Sequence, residues 1–106
     1  MNQERLQNNK AVIEYYGYIN QTKKLLEELK ELEEEVEKLL VLEQAGETVP
    51  SELLHNLVQE SADVVNCIEQ AYIIRNIDLI NLDYNQCWKM QRQITRIRDE
   101  KLISEV

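Results

Sequence analysis

Two pairs of carboxylates in this chain share one spacing. Glu28 and Glu31 stand at i, i+3, and so do Glu60 and Asp63. At 100° per residue, Glu28 and Glu31 fall about 60° and 120° to one side of Leu25, on an apolar stripe, with Glu35 between them in angle. Relative to Leu57, Glu60 and Asp63 fall about 60° and 120° to the same side of the next helix. If those two helices pack antiparallel, as a short connection favours, four oxygen donors converge on one site. Hard-oxygen clusters suit Mg²⁺ or Mn²⁺ and leave positions for water and phosphate. The pairs differ in specificity. E-x-x-E recurs at 28/31, 31/34 and 34/37, which also reads as a solvated acidic face. Glu60-Ser61-Ala62-Asp63 interrupts an apolar helix, where two acids require partners, a metal or a reach to solvent.

A third group follows. Lys89, Arg92 and Arg96 lie at i, i+3 and i+7, on a face opposite Met90, Ile94 and Ile97. Cations on one helical face suit a polyphosphate, with Arg able to bind it bidentately. They equally suit the negative end of a helix dipole. Asn66, one turn after Asp63, is placed to bond a carboxylate, contact a nucleotide or satisfy a helix interface.

The elements that must position these groups are helical. The chain has 106 residues, 43% of them hydrophobic, with two Gly, one Pro and no Phe. Many Leu, Glu, Lys and Gln favour helix, because their side chains lose little rotamer freedom there. This length provides one domain, residues 1–106, with one core, and makes a core shared between subunits reasonable. The first nine residues are polar and are expected to fray. Ala11 to Tyr16 reads as a short helix ending near Gly17. A second helix runs from about Tyr18 to Gln44, with Leu25, Leu29, Leu32, Val36 and Leu39 as its stripe. Ala45 to Pro50 breaks the chain, and Pro50-Ser51-Glu52 opens a third helix ending near Arg75. Its stripe is Leu53, Leu54, Leu57, Val58, Val64, Val65, Ile68 and Tyr72. A bend is expected around Asn76-Ile77-Asp78. A fourth helix, from about Leu82 to Arg98, carries Cys87, Met90, Ile94 and Ile97 on one face. The fold class is all-α: a bundle of about four helices, completed by dimerisation.

Here the sequence resembles a known family. Gln21-Thr22-Lys23-Lys24-Leu25-Leu26-Glu27-Glu28-Leu29-Lys30-Glu31-Leu32 is similar to the first signature of the MazG-like, all-α NTP pyrophosphohydrolases, E-E-x-x-E. Glu60-Ser61-Ala62-Asp63-Val64-Val65-Asn66 resembles their second, E-x-x-D, after a long connection over residues 32–59. Lys89-Met90-Gln91-Arg92 resembles the K-x-x-R of related proteins. The likeness covers residues 11–98, although its specific motifs occupy few positions. It implies Glu28, Glu31, Glu60 and Asp63 as ligands of Mg²⁺, with Mn²⁺ as a substitute. It also implies cleavage of a nucleoside triphosphate to a monophosphate and pyrophosphate, and house-cleaning of the nucleotide pool. Lys89 and Arg92, with Arg96 beside them, would stabilise the phosphates. Glu27 and Glu35 are the candidate water activators. The subunits would form a homodimer or homotetramer.

Charge and composition remove other classes. The net charge is −8, from 20 acidic and 12 basic residues, and an acidic surface repels nucleic-acid backbones. Cys67 and Cys87 have no CxxC partner and sit in apolar patterns, so both are expected as reduced core thiols of a cytoplasmic protein. No apolar run approaches the ~20 residues of a membrane span, and the polar start is not a signal peptide. His55, the only histidine, projects from the stripe and offers no zinc pattern or catalytic triad. There is no Gly-rich phosphate loop. Trp88 and the tyrosines can stack a base or fill an interface. The competing reading is a non-catalytic helical interaction module in which the carboxylate match is a coincidence or a vestige.

Overall fold

The computed structural model describes residues 1–104, and their side chains through Lys101. It is all-α, with four helices: α1 (Gln3–Tyr16), α2 (Tyr18–Gln44), α3 (Ser51–Ile74) and α4 (Ile80–Ser104). The chain divides into two compact units, Met1–Asn76 and Ile77–Val106. Among the described residues, no helix is long and apolar enough to cross a membrane.

Local chemistry sets the boundaries of the first unit. The Asn2 side chain caps α1 by accepting the Arg5 N–H at 2.8 Å, which satisfies one of the first-turn donors. The expected fraying of residues 1–9 is therefore corrected: helix begins at Gln3, and Asn9 is buried. Gly17, at φ +89°, separates α1 from α2, a backbone conformation that costs a Cβ-bearing residue more. At the end of α2 the Gly46 N–H bonds the Glu43 carbonyl and the Glu47 N–H bonds Leu42. With Gly46 at φ +69°, this is a Schellman stop. Pro50 precedes the first turn of α3, where a missing N–H costs nothing.

The start of α2 meets the end of α3, as the Gln21–Gln70 bond across 49 positions shows, so the two helices are antiparallel. Leu25, Leu32 and Leu39 of α2 and Leu53, Leu57 and Ile68 of α3 are half-buried between them, and Val64 and Cys67 are buried. The apolar stripes read from the sequence divide here. Leu29 and Val36 on α2, and Leu54, Val58 and Val65 on α3, are exposed. They lie on the flank opposite the carboxylates, because equal angular offsets on antiparallel helices fall on the same side of the pair.

Across residues 1–76 the buried positions are more polar than apolar. Ile13, Val64 and Cys67 are joined by Asn9, Gln21, Glu28, Glu69 and Gln70. The amides satisfy one another: Gln21 Nε2 donates to Gln70 Oε1 at 2.6 Å, and Gln70 Nε2 donates to Asn9 Oδ1 at 3.1 Å. This chain ties α2 to α3 and α3 to α1. Beside it, Arg5 on α1 pairs with buried Glu69 at 2.9 Å.

In the second unit, the Asp78 carboxylate accepts the Ile80 N–H at 3.0 Å at the start of α4. The helix runs on past Arg98 to Ser104. Every side chain from Ile80 to Lys101 is exposed. Cys87 is therefore not a core thiol, which corrects the expectation, whereas Cys67 is buried. Helical periodicity places Cys87 on an apolar face, but it does not say whether that face is covered.

Candidate metal centre

Glu28 and Glu31 occupy one flank of α2, and Glu60 and Asp63 the facing flank of α3. One oxygen from each of Glu28, Glu60 and Asp63 lies within 4.8 Å of the other two. Octahedral Mg²⁺ holds its oxygens at about 2.0–2.1 Å, so trans ligands are about 4.2 Å apart. At most one of the three pairs can be trans, so the side chains would have to draw the oxygens of the other pairs to about 2.9 Å to close the set. Burial falls from α2 outward: Glu28 is 5% exposed, Glu60 is half-buried and Asp63 is open to solvent.

The polar balance of this cluster is incomplete. Lys24 Nζ meets Glu28 Oε1 at 3.0 Å, and Glu28 Oε2 is buried without a hydrogen-bond partner. Glu60 Oε2 is buried and unpartnered as well. Burying a carboxylate oxygen without a donor is unfavourable, and clustered like charges add repulsion. The hydrogen bond to Glu28, and then its charge, raise the Lys24 pKa above the ordinary lysine value. The Glu28 charge, followed by side-chain hydrogen bonds with Glu60 and Glu28, raises the pKa of the exposed Glu31 carboxyl. The expected ligands Glu28, Glu60 and Asp63 are thus brought together, and Glu31 is electrostatically joined to them.

A cleft of about 460 Å³ opens beside the cluster. Glu28 and Asp63 line it together with Asn66, Gln21, Lys24 and Tyr16. Asn66 therefore lines the same cleft as Glu28 and Asp63. Cys67 forms part of the wall, and burial, followed by the Glu28 charge, pushes its thiol pKa up. Of the two candidate water activators, Glu27 lines the cleft but is exposed and paired with Lys24 at 3.8 Å. Glu35 accepts from Lys38 at 3.1 Å through Oε1, while its Oε2 is buried without a partner.

Lys89, Arg92 and Arg96 all belong to α4. They line one groove of about 390 Å³ with Gln86, Met90 and Gln93. The Arg92 guanidinium lies 4.9 Å from the centroid of the Trp88 ring, a cation–π arrangement that fixes its stem and leaves its N–H fork for an anion.

Sequence reasoning missed Lys24 as the ion partner of Glu28, and it missed the amide chain of Asn9, Gln21 and Gln70. Gln21 had a usable signal. It falls about 40° from Leu25, inside the apolar stripe, where an amide needs a buried partner. Compared with known protein families, curated proteins and solved structures, the chain matches none of them.

Proposed function

We propose that this protein is a magnesium-dependent nucleoside triphosphate pyrophosphohydrolase, releasing a nucleoside monophosphate and pyrophosphate. The observation that carries the reading is the pair of buried, unpartnered oxygens on Glu28 and Glu60 within a converging carboxylate set. Glu28, Glu31, Glu60 and Asp63 would hold the cation, with Mn²⁺ able to replace Mg²⁺. Bound there, the metal neutralises phosphate charge and favours attack of water on phosphorus.

The chain's own groups do the rest. The cleft receives the nucleoside, with Asn66 offering both a donor and an acceptor to it. Of the two candidate water activators, Glu27 lines the cleft and Glu35 has a buried oxygen with no partner, and each also pairs with a lysine, Lys24 and Lys38. Lys89, Arg92 and Arg96 form a cationic groove on α4 suited to a polyphosphate. The resemblance of Glu27-Glu28-x-x-Glu31 and Glu60-x-x-Asp63 to the MazG-like signatures supplies the cleavage position and the nucleotide-pool role, in the cytoplasm. The exposed Leu29, Val36, Leu54, Val58 and Val65 flank supports a homodimer or homotetramer, since apolar area of this kind marks an interface.

That same apolar exposure favours a second reading, a helical interaction module without catalysis. One experiment separates the two. Purified protein with Mg²⁺ is given a panel of NTPs and dNTPs, and pyrophosphate and monophosphate are measured together. The expected result is equal amounts of both products, reduced at least about 100-fold in Glu60→Gln, Asp63→Asn. Orthophosphate with a diphosphate would overturn the cleavage position. No product from a folded protein would favour the module.

A further inference from the structure

Cys87, Met90, Ile94 and Ile97 are separated by three, four and three positions, which is the a/d spacing of a heptad. All are exposed, Met90 at 60%, Ile94 at 46% and Ile97 at 48%. A lone helix with no burial is marginal in water, so this seam calls for a partner. Extending the heptad outward puts Asp83 at a d position and Lys101 at an a position. Those two charges determine what fits the seam.

We propose that α4 pairs antiparallel with α4 of a second copy of this chain. In the register that sets Met90 opposite Ile94 of the second copy, Cys87 meets Ile97, and Asp83 meets Lys101 at each end. The flanking positions agree. Tyr84 faces Arg98, Gln86 faces Glu100, and Gln91 and Gln93 each face their own counterpart. A parallel pair would instead set Asp83 against Asp83 and Lys101 against Lys101, which is unfavourable at seam positions. Lys89, Arg92 and Arg96 fall at c and f positions on the outside of the pair, whereas Gln86, Met90 and Gln93 of the same groove lie in or beside the seam. The pairing needs no metal and is independent of the proposed hydrolysis.

The test is oxidative crosslinking of the full chain with copper–phenanthroline, read on non-reducing gels and mapped by peptide mass. In wild type, antiparallel pairing keeps the two Cys87 residues ten positions apart along the axis, about 15 Å, beyond the ~7 Å Cα limit of a disulfide. No Cys87–Cys87 dimer is therefore expected. Ile97→Cys, at an exposed position where folding is not at stake, should give a reducible dimer linked between positions 87 and 97. Asp83→Lys should slow that crosslink about tenfold, and adding Lys101→Asp should restore it. A Cys87–Cys87 dimer in wild type would overturn the orientation. Absence of any dimer in Ile97→Cys would overturn the pairing and leave the seam to another protein. Insensitivity to Asp83→Lys would overturn the register.

Discussion

Two polar clusters are buried between α2 and α3, just under two turns apart on α2, and they are built in opposite ways. Around Gln70 the amides close on one another, with Gln21 and Asn9 taking up its oxygen and nitrogen. Around Glu28 the carboxylates face each other, and buried oxygens of Glu28 and Glu60 have no donor. The three amides partner one another and hold three helices together, although Glu69 Oε1 beside them is buried without a hydrogen-bond partner. The second opposes folding by repulsion and desolvation unless something positive joins it. Lys24 supplies one charge against Glu28, with Glu31, Glu60 and Asp63 close by. A buried polar group is therefore informative about function when its partners are missing, and about architecture when they are present.

The contrast can be broken from the amide side with the larger effect. Gln70→Leu leaves the Gln21 donor and the Asn9 acceptor buried and unpaired, so it should destabilise the protein by about 3 kcal/mol, seen in urea or thermal melts. Adding metal should not recover that loss. If Gln70→Leu melts like wild type, the amide chain is not what ties the three helices together.

From the carboxylate side, the effect is smaller and depends on pH. Because Glu28 and Glu60 raise the Glu31 pKa, the folded protein holds that proton more tightly than the unfolded chain does. The resulting stabilisation is fully present below the ordinary glutamate range and is lost as pH rises through the raised value. Melting temperature in EDTA should therefore fall over that window, and Glu31→Gln should flatten the slope. An unchanged slope in Glu31→Gln would remove Glu31 from the cluster.

Much of the hairpin was legible before its structure. Gly17, Gly46 and Pro50 are conformational stops, and α2 spans Tyr18–Gln44 as its periodicity and breakers indicate. The i, i+3 carboxylates on equal flanks converge because antiparallel helices carry equal offsets to the same side. The start of α1 was not legible. Residues 3–9 are polar, and what orders them is Gln70 and Glu69, more than fifty positions away. The division of each stripe into a packed and an uncovered half was also hidden. Leu25 and Leu29 are equally apolar, and only the crossing of α2 with α3 distinguishes them. Cys87 failed for a related reason, since a helix face records its chemistry and not its neighbour.

The most direct test of the metal centre is a set of four melts: wild type and Glu60→Gln, each in EDTA and in excess Mg²⁺. Without metal, Glu60→Gln should melt higher than wild type, because removing one carboxylate charge from a set within 4.8 Å relieves on the order of 1 kcal/mol. With Mg²⁺ at about 100 times its dissociation constant, wild type should gain about 2.7 kcal/mol and pass the variant. A crossing of that order is what a cation held by Glu28, Glu31, Glu60 and Asp63 requires. If Mg²⁺ shifts both proteins equally, or neither, these carboxylates do not form a metal centre.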